Sequence, residues 1–422
     1  MKDDILQQAP VFPCAKEPEF LERRINRYYK DRVRDTWNGG HLLRGLKPGA
    51  NDIRLMSNDY LALADHPDIL RSQSDMLLKE GGGMLMSAVF LNGDSPQYRL
   101  EQRLAHFMKS ERGILCQSGW CANTGLIQSI ANEQTTVYID MFAHMSLWEG
   151  ARSAGAPAVA FHHNDPGHLE KQILKHGPGV IAVDSVYSTS GALCPLKEIV
   201  EVGSNHGCVL VVDESHSLGT HGIHGEGLVA SLGLTDRVHF VTASLAKAFA
   251  GRAGFITCPK RFYDYFMCES RPFIFSSALL PHEIAALETT LTIIQRDDWR
   301  RDALHFNARH LRAQLDALGY NVQSGQAQII ALESGTEQQT MALRDALERK
   351  GIFGAVFFAP ATPKNRSLMR FSVHSELTLP ELERIVQVCR EVRDEVNMLD
   401  WPSTRRKRID QAKSQEKVEV AA

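Results

Sequence analysis

Short apolar runs recur through the middle of the chain, from about residue 100 to 260. They are rich in β-branched residues, and most are separated by about the length of a helix. Continuous apolar runs of this length are typical of strands that are buried on both faces. The pattern therefore predicts an α/β domain with a mostly parallel sheet covered by helices. The predicted strands are Val137–Asp140, Val159–Phe161, Val180–Val183, Val209–Val212, His239–Ala243 and Gly254–Thr257.

Amphipathic segments between and around these runs predict helices. Pro166–His176 and Pro195–Asn205 lie between predicted strands. A polar amphipathic stretch over Glu17–Arg34 predicts an N-terminal helix, and a long helical segment is predicted over Leu280–Gly319. Ile53–Met56 predicts a short strand.

The spacing of predicted strands and helices changes after residue 319. The predicted strands Gln328–Leu332, Val356–Phe358 and Met369–Val373 alternate with helices over Thr336–Lys350 and Pro380–Leu399. This alternation indicates a smaller α+β domain that packs on the large one.

These patterns divide the chain into four parts. We expect an N-terminal arm over residues 1–50, a large domain over 51–295, a small C-terminal domain over 296–400 and a disordered tail over 401–422. The tail contains the basic run Arg405–Arg408. Such a run at a chain end is more typical of a solvated segment than of a nucleic-acid contact.

Composition narrows the functional classes. The 422 residues include 47 Lys and Arg against 50 Asp and Glu, a net charge of −3, so the chain has no global basic field for nucleic acid or an anionic membrane. No apolar stretch approaches the roughly 18 residues of a membrane span, and the first residues do not resemble a signal peptide. The eight cysteines form no CxxC pair and are expected to be reduced thiols. We expect a cytoplasmic protein.

Two segments at neighbouring strand ends carry the most distinctive chemistry. Asp213–His216 (DESH) follows one predicted strand, and Ser244–Lys247 (SLAK) follows the next. A lysine whose pKa is lowered by burial can form a Schiff base, and an aspartate beside it can keep a pyridine nitrogen protonated. Singly, Asp213 could cap a helix and Lys247 could lie on a solvated face. Together they would lie at the carboxyl edge of one sheet, where open α/β folds bind ligands.

Four stretches are distinctive together: CQSGWCANTG (116–125), DSVYSTSGALCPL (184–196), DESHSLGTHGIHGEG (213–227) and the segment around Lys247. In these stretches the sequence resembles the α-oxoamine synthases, fold-type I enzymes that use pyridoxal 5′-phosphate (PLP) to join an amino acid to an acyl-CoA. The resemblance extends from about Asn51 to Val388. Within the family, SNDYLALADHP (57–67), AHMSLWEGAR (143–152) and the Ser276-Ser277 segment are most similar to the α-hydroxyketone autoinducer synthases of quorum sensing.

The resemblance implies roles for residues around the PLP ring. Lys247 matches the lysine that forms the Schiff base with the cofactor, and Asp213 matches the partner of the pyridinium nitrogen. His144 matches the histidine stacked on the ring, although taken alone it is more simply a core histidine. His216 and Ser188 match residues near the phenolic oxygen.

Other matches concern the phosphate group and the substrate. Backbone N–H groups of Trp120 and Cys121, at a predicted helix start, and the Ser244 hydroxyl would hold the phosphate. Ser276 and Ser277 match phosphate contacts that the family receives from a partner subunit, which implies a homodimer with a shared site. Arg370 would bind the substrate carboxylate, and Asn58 would lie near that carboxylate.

Two segments depart from the family pattern. The glycine-rich segment Gly81–Gly93 lacks the family's arginine and is apolar instead, which would suit a medium-length acyl chain or, with equal weight, plain core packing. Thr189 and Ser190 replace a common Met-Asp pair, so the local substrate preference is open. The apolar residues of the first segment are Met84, Leu85, Met86, Val89 and Phe90.

The resemblance implies condensation of a medium-chain acyl-CoA with a four-carbon amino unit, either a free amino acid or S-adenosylmethionine. Loss of carbon dioxide would give an amino- or enamino-ketone precursor of an α-hydroxyketone signal. Within the family, the alternatives are 8-amino-7-oxononanoate synthase, 2-amino-3-ketobutyrate CoA ligase and 5-aminolevulinate synthase.

Alternatives outside the family are weaker. Ser244-x-x-Lys247 fits the SxxK motif of serine acyl-enzymes, but no Lys-Thr-Gly follows. His216, His221 and His224 with Asp213 could form a metal site, but they lie in a glycine-rich loop and no HExxH motif occurs, so no metal is expected. A PLP-binding regulator would need an added DNA-binding region or a lost lysine, and the sequence has neither.

Overall fold

The structure is a computed structural model that describes residues 15–91 and 93–409. Cys14, the start of the predicted arm and the end of the predicted tail lie outside the described residues. The helices are α1 (Glu19–Tyr28), α2 (Pro67–Glu80), α3 (Pro96–Phe107), α4 (Gly119–Ile130), α5 (Met145–Ala154), α6 (Pro166–His176), α7 (Leu196–Asn205), α8 (Leu228–Ser231), α9 (Phe262–Glu269), α10 (Arg271–Ile274), α11 (Pro281–Arg296), α12 (Asp298–Ala317), α13 (Glu337–Arg349) and α14 (Leu379–Glu395). The strands are β1 (Ile53–Leu55), β2 (Arg112–Cys116), β3 (Val137–Asp140), β4 (Ala158–Phe161), β5 (Val180–Asp184), β6 (Val209–Asp213), β7 (Phe240–Ser244), β8 (Gly254–Cys258), β9 (Ile329–Gly335), β10 (Ile352–Phe357) and β11 (Ser367–Ser372).

The large sheet has seven strands in the order β2-β8-β7-β6-β5-β3-β4. Strand β8 is antiparallel to both of its neighbours, and the other adjacent pairs are parallel. The predicted parallel sheet covered by helices is confirmed, with strand ends within one residue of those expected. Asp184, Asp213 and Ser244 are the last residues of three consecutive strands of this sheet, so they lie at one edge.

Strand β2 was not anticipated because it begins with a charged residue. The Arg112 guanidinium lies between two aromatic rings, 4.2 Å from the ring centre of Tyr98 and 4.0 Å from that of Tyr263. Cation–π contacts of this kind allow an arginine to be buried in a strand.

The small sheet has the order β1-β10-β11-β9, with β1 parallel to β10. Ile53 and Leu55 are buried in the small domain while Arg54 faces outward, the alternation of a half-buried strand. The predicted boundary at residue 51 is therefore wrong for this strand, since β1 belongs to the small domain and the chain enters the large domain only after it.

The segment predicted as one long helix is two. Helices α11 and α12 are separated at Asp297, whose backbone leaves the helical region (φ −100°, ψ 62°). The Asp297 carboxylate accepts hydrogen bonds from Arg296 and lies 3.7 Å from Arg300 Nε, which stabilises the corner between the helices.

The predicted tail is wrong for its first residues, because residues 402–409 form a helix on the small domain. Ser403, Thr404 and Lys407 are buried. Lys407 Nζ donates to Asp316 Oδ1 at 2.7 Å, to the Asp316 carbonyl at 2.9 Å and to the Tyr320 carbonyl at 3.0 Å. These bonds compensate the burial of an ammonium group, so the basic run is partly an anchor. None of the helices in the described residues combines the length and the apolar composition of a membrane span.

Candidate active site

A cavity of about 990 Å³ lies between the carboxyl edge of the large sheet and the small domain. It brings together most of the residues that the sequence singled out, from both domains. These residues are Asn58, Trp120, His144, Ser188, Asp213, His216, Ser244, Lys247 and Arg370.

Asp213 is held in place at the end of β6. Asn123 Nδ2 donates to its Oδ2 at 2.6 Å, and the backbone N–H of Ser215 donates to its Oδ1 at 2.8 Å. Asn123 is itself oriented by Thr242, whose hydroxyl donates to Asn123 Oδ1 at 2.6 Å. Sequence reasoning missed Asn123 as a site residue, although it lies within the quoted stretch CQSGWCANTG.

His144 caps α5 and faces the cavity. Its Nδ1 lies 2.8 Å from Ser146 Oγ, and its backbone N–H donates to Asp184 Oδ1 at 3.1 Å. The Trp120 ring meets the imidazole edge-on at 6.2 Å. Burial lowers the pKa of His144, against the opposing effect of the Asp213 carboxylate, so a neutral imidazole is favoured at neutral pH.

His216 is more deeply buried and is oriented by a residue that sequence reasoning missed. Tyr60 Oη lies 2.7 Å from its Nδ1, and Gln328 Nε2 donates to its carbonyl at 2.8 Å. Burial, with the charge of Lys247 next, holds the pKa of His216 well below its usual value, while burial raises the pKa of Tyr60 to about 12. This pair therefore stays uncharged across the neutral range.

Lys247 follows β7 and is half-buried. Burial lowers its pKa, and the positive charge of Arg370 lowers it further, while Asp213 acts in the opposite direction. An amine must be neutral to act as a nucleophile, and a lowered pKa increases that fraction at neutral pH.

Arg370, on β11, is 4% exposed and has only uncharged hydrogen-bond partners among the described residues. Its Nη1 donates to the Ser188 carbonyl at 2.8 Å and its Nη2 to Asn58 Oδ1 at 2.7 Å. Its Nε is buried without a partner in the described part of the chain, and burial lowers its pKa. A buried guanidinium with no anion beside it is suited to bind a carboxylate that enters the cavity.

The start of α4 forms a cradle for an anion. Ser118 caps the helix by accepting the Cys121 N–H at 3.1 Å, so this N–H, predicted to hold phosphate, is already bonded. The first-turn N–H groups of Gly119 and Trp120 have no intrahelical partner and benefit from the helix dipole. A Cβ on Gly119 would lie 2.6 Å from the Ser244 Cβ, so glycine is needed for the close approach.

These residues fit PLP. The cradle suits its phosphate, the Asp213 carboxylate suits its ring nitrogen, and the half-buried amine of Lys247 suits its aldehyde.

Cys121, Ser276 and Ser277 do not line the cavity. They line a separate, much smaller pocket. Ser276 donates to the Pro272 carbonyl, and Gln117 donates to the Ser277 carbonyl. A single chain therefore does not bring these serines to the cofactor cradle.

The apolar segment that precedes α3 does not line the cavity, and it is divided between the core, which Ala88 and Val89 join, and the surface. Met84, Leu85 and Phe90 are 71%, 80% and 64% exposed. The segment bonds to the loop that contains the two serines, since Ala278 N–H donates to the Met86 carbonyl at 2.7 Å. The core-packing interpretation is therefore wrong for the three exposed side chains.

The histidines of the metal-site alternative are directed to different neighbours. His221 Nδ1 lies 2.9 Å from Thr220 Oγ1, and His224 Nδ1 lies 3.9 Å from Asp298 Oδ1. Among the described residues, no group of three or more His, Cys, Asp or Glu side chains could hold a metal ion. In the SxxK alternative, the Ser244 hydroxyl accepts the Ala246 N–H at 3.3 Å, a local turn contact.

Comparison with known proteins gives concordant matches. The sequence profile of the family described as aminotransferase class I and II matches residues 50–388. The chain is 45% identical to the CAI-1 autoinducer synthase of Vibrio campbellii, over 89% of this chain and 95% of that protein. It is 30% identical to the 8-amino-7-oxononanoate synthase of Alkaliphilus oremlandii, over 83% and 90%.

Solved structures agree with the sequence matches. The serine palmitoyltransferase of Sphingomonas wittichii superposes with a TM-score of 0.80 at 26% identity, covering 90% of this chain and 98% of that one. A serine palmitoyltransferase structure with the same TM-score and coverage contains PLP. The chain belongs to the aminotransferase class I and II family and, within it, to the PLP-dependent α-oxoamine synthases.

Proposed function

We propose that the protein condenses a medium-chain acyl thioester with an amino acid or S-adenosylmethionine, with loss of carbon dioxide. The product is an amino- or enamino-ketone precursor of an α-hydroxyketone quorum-sensing signal. The observation that carries the proposal is the convergence of Lys247, Asp213 and Arg370 on one cavity. The 45% identity to an autoinducer synthase supports the choice of product class.

PLP, when bound, supplies an electron sink that stabilises negative charge at the substrate α-carbon. Lys247, Asp213, His144, Ser244 and the first turn of α4 are the residues that would hold it. Asp213 favours a protonated ring nitrogen because its carboxylate is fixed by Asn123 and has no cationic hydrogen-bond partner among the described residues.

The side chains around the cofactor site would bind the substrates and transfer the proton. Arg370 binds the amino substrate's carboxylate through its planar fork, and Asn58 keeps the guanidinium oriented. The neutral amine of Lys247 accepts the α-proton. His144 lines the same cavity and would polarise the thioester carbonyl, which would favour attack by the α-carbon and departure of the carrier thiol.

We infer that the active form is a homodimer whose subunits complete each other's phosphate site. The exposed segment around Met84, Leu85 and Phe90 bonds to the loop of Ser276 and Ser277, so one surface presents both apolar area and the exposed Ser277. Exposed apolar patches of this kind favour protein contacts. Sedimentation of the PLP-loaded enzyme is expected to give a dimer, and an active monomer would refute this inference.

The substrate assignment is tested by crossing amino donors with acyl-CoA lengths and identifying products by mass spectrometry. We expect the highest turnover with octanoyl- to decanoyl-CoA, because the apolar segment would meet the acyl chain across the dimer interface. Equal or better rates with acetyl- or succinyl-CoA would favour the aminobutyrate or aminolevulinate type of reaction instead. The acyl-CoA substrates and the seven free thiols of the described cysteines are consistent with the cytoplasm as the site of action.

A further inference from the structure

Two arginines of the small domain line the cavity in addition to Arg370. Arg366 immediately precedes β11, and Arg406 lies on the helix of residues 402–409. Both bond the same carboxylate of Glu333 on β9, with Arg366 Nη2 at 2.7 Å from Oε2 and Arg406 Nη2 at 2.5 Å from Oε1. We call the part of the cavity formed by Glu333, Arg366 and Arg406 the mouth. Because two guanidinium groups share one carboxylate, the mouth has one positive charge in excess.

Hydrogen bonds fix the helix of residues 402–409, which we call the C-terminal helix, in a position where Arg406 lines the cavity. Lys407 anchors the helix with three hydrogen bonds to Asp316 and Tyr320, and Ser403 donates to the Glu333 carbonyl. Ser403 and Arg406, three residues apart and on one helix face, both line the cavity.

The neighbouring basic residues of the helix have other partners. Arg405 Nη2 lies 3.4 Å from Asp400 Oδ1, and Arg408 donates to the Leu399 carbonyl at 2.8 Å. Of these three arginines only Arg406 is among the residues that line the cavity.

The mouth adjoins the inner site and offers neutral donors as well as charge. The Arg366 guanidinium lies 5.9 Å from the ring centre of Phe142, two residues before His144. The uncharged polar residues around the mouth are Asn321, Gln323, Ser324 and Ser403. Guanidinium forks with amide and hydroxyl donors are typical of phosphate binding.

We infer that Arg366 and Arg406 bind a phosphate group of the acyl donor, an inference that rests on the proposed function. The amino substrate's carboxylate is matched by Arg370 inside the cavity, and the positive charge that Glu333 leaves uncompensated on Arg366 and Arg406 suits a second anion. An acyl thioester of CoA or of phosphopantetheine carries phosphate at the end remote from the reacting carbonyl. The C-terminal helix is thereby part of the substrate site.

The test combines Arg406→Gln with three octanoyl donors: octanoyl-CoA, octanoyl-4′-phosphopantetheine and octanoyl-pantetheine, which has no phosphate. Arg405→Gln, the adjacent residue outside the cavity, is the matched control, and Arg406→Lys tests for rescue by charge. We expect Arg406→Gln to raise the KM for phosphate-containing donors by about tenfold, the usual effect of losing one charged hydrogen bond. The kcat and the KM for octanoyl-pantetheine should not change.

The set of donors whose KM rises identifies which phosphate group of the acyl donor is bound. An effect on both octanoyl-CoA and octanoyl-4′-phosphopantetheine supports binding of the phosphate next to pantetheine, and an effect on octanoyl-CoA alone supports binding at the nucleotide end. An equal KM increase for all three donors, or none for octanoyl-CoA, would overturn the inference. If the wild-type enzyme turns over no octanoyl donor, the proposed function fails separately, and calorimetry of CoA binding then decides whether Arg406→Gln weakens it.

Discussion

The inner end of the cavity and its mouth are built in opposite ways. At the inner end, Asp213 is 5% exposed and Arg370 is 4% exposed, and each is held by short hydrogen bonds to uncharged groups. At the mouth, the side chains of Arg366 and Arg406 are 43% and 44% exposed and bond to a carboxylate. Burial changes the chemistry of the inner groups, whereas the mouth keeps ordinary charges in contact with water.

This difference in exposure indicates different roles for the two parts of the cavity: the chemical step at the inner end and substrate binding at the mouth. The inner lysine and histidines have lowered pKa values because they are desolvated beside other cations, which gives a neutral base and neutral hydrogen-bonding groups. The mouth arginines are suited to attract and position an anion whose reacting end lies further inside. Substitutions at the inner end should therefore impair the chemical step, and substitutions at the mouth should impair binding of one substrate.

The largest effect is expected for Lys247→Ala. Loss of the amine removes both the covalent link to PLP and the proposed base, so turnover should fall by at least about a thousandfold. The yellow absorbance of enzyme-bound PLP should also be lost, as measured by visible spectroscopy after dialysis. Lys260→Ala, at an exposed lysine, is the control and should leave both unchanged. An unchanged spectrum in Lys247→Ala would contradict the assignment.

Asp213→Asn should have the next largest effect. The amide keeps the size of the side chain but cannot stabilise a protonated ring nitrogen, so kcat should fall by about a hundredfold or more while acyl-donor KM changes little. Steady-state kinetics with both substrates measure this. Asp236→Asn, at an exposed position, serves as the control. A rise in acyl-donor KM alone would show that the two ends of the cavity are not separate.

Truncation compares the two parts of the C-terminal segment. A chain that ends at Trp401 loses Arg406, and its acyl-CoA KM should rise by about tenfold with PLP binding retained. A chain that ends at Ile409 keeps Arg406, and its KM should match the full-length value. If the chain that ends at Trp401 kept the full-length KM, the helix of residues 402–409 would have no role in substrate binding.

The smallest effect is a shift in pH dependence. Because the charge of Arg370 lowers the pKa of Lys247, Arg370→Gln should raise that pKa. The amine is neutral above its pKa, so the pH midpoint for the rate of PLP uptake by the apoenzyme should move to higher pH. Stopped-flow absorbance measures the rate, and Arg349→Gln on the surface is the control. A midpoint that moves to lower pH would contradict the coupling.

The inner end was largely predictable from the sequence. Strands buried on both faces form continuous apolar runs, and their carboxyl ends indicate where Asp213 and Lys247 must meet. The family resemblance then supplied roles for His144 and Arg370. Asn123 was missed because its partners Asp213 and Thr242 lie 90 and 119 residues away along the chain.

The mouth was not predictable, because nothing in local spacing relates its members. Glu333, Arg366 and Arg406 come from a strand, a loop and a helix that meet only in the folded small domain. The basic run at 405–408 has the composition of a solvated end, and only its packing distinguishes Lys407 and Arg406 from their neighbours. The strand at 53–55 was predicted as a strand, but its alternation of apolar and polar residues does not indicate which sheet it joins.

The pairing of Trp37 and β1 with the small domain has a consequence for synthesis on the ribosome. Trp37 Nε1 donates to Glu337 Oε2 at 2.6 Å across 300 residues of sequence. Strand β1 pairs with β10 across a similar separation in sequence. Contacts this distant in sequence form late. The nascent polypeptide can assemble the large sheet, with its aspartate and lysine, before translation reaches the small domain. The helix of residues 402–409, and with it the proposed phosphate contact of Arg406, is completed only after the rest of the small domain has been synthesised.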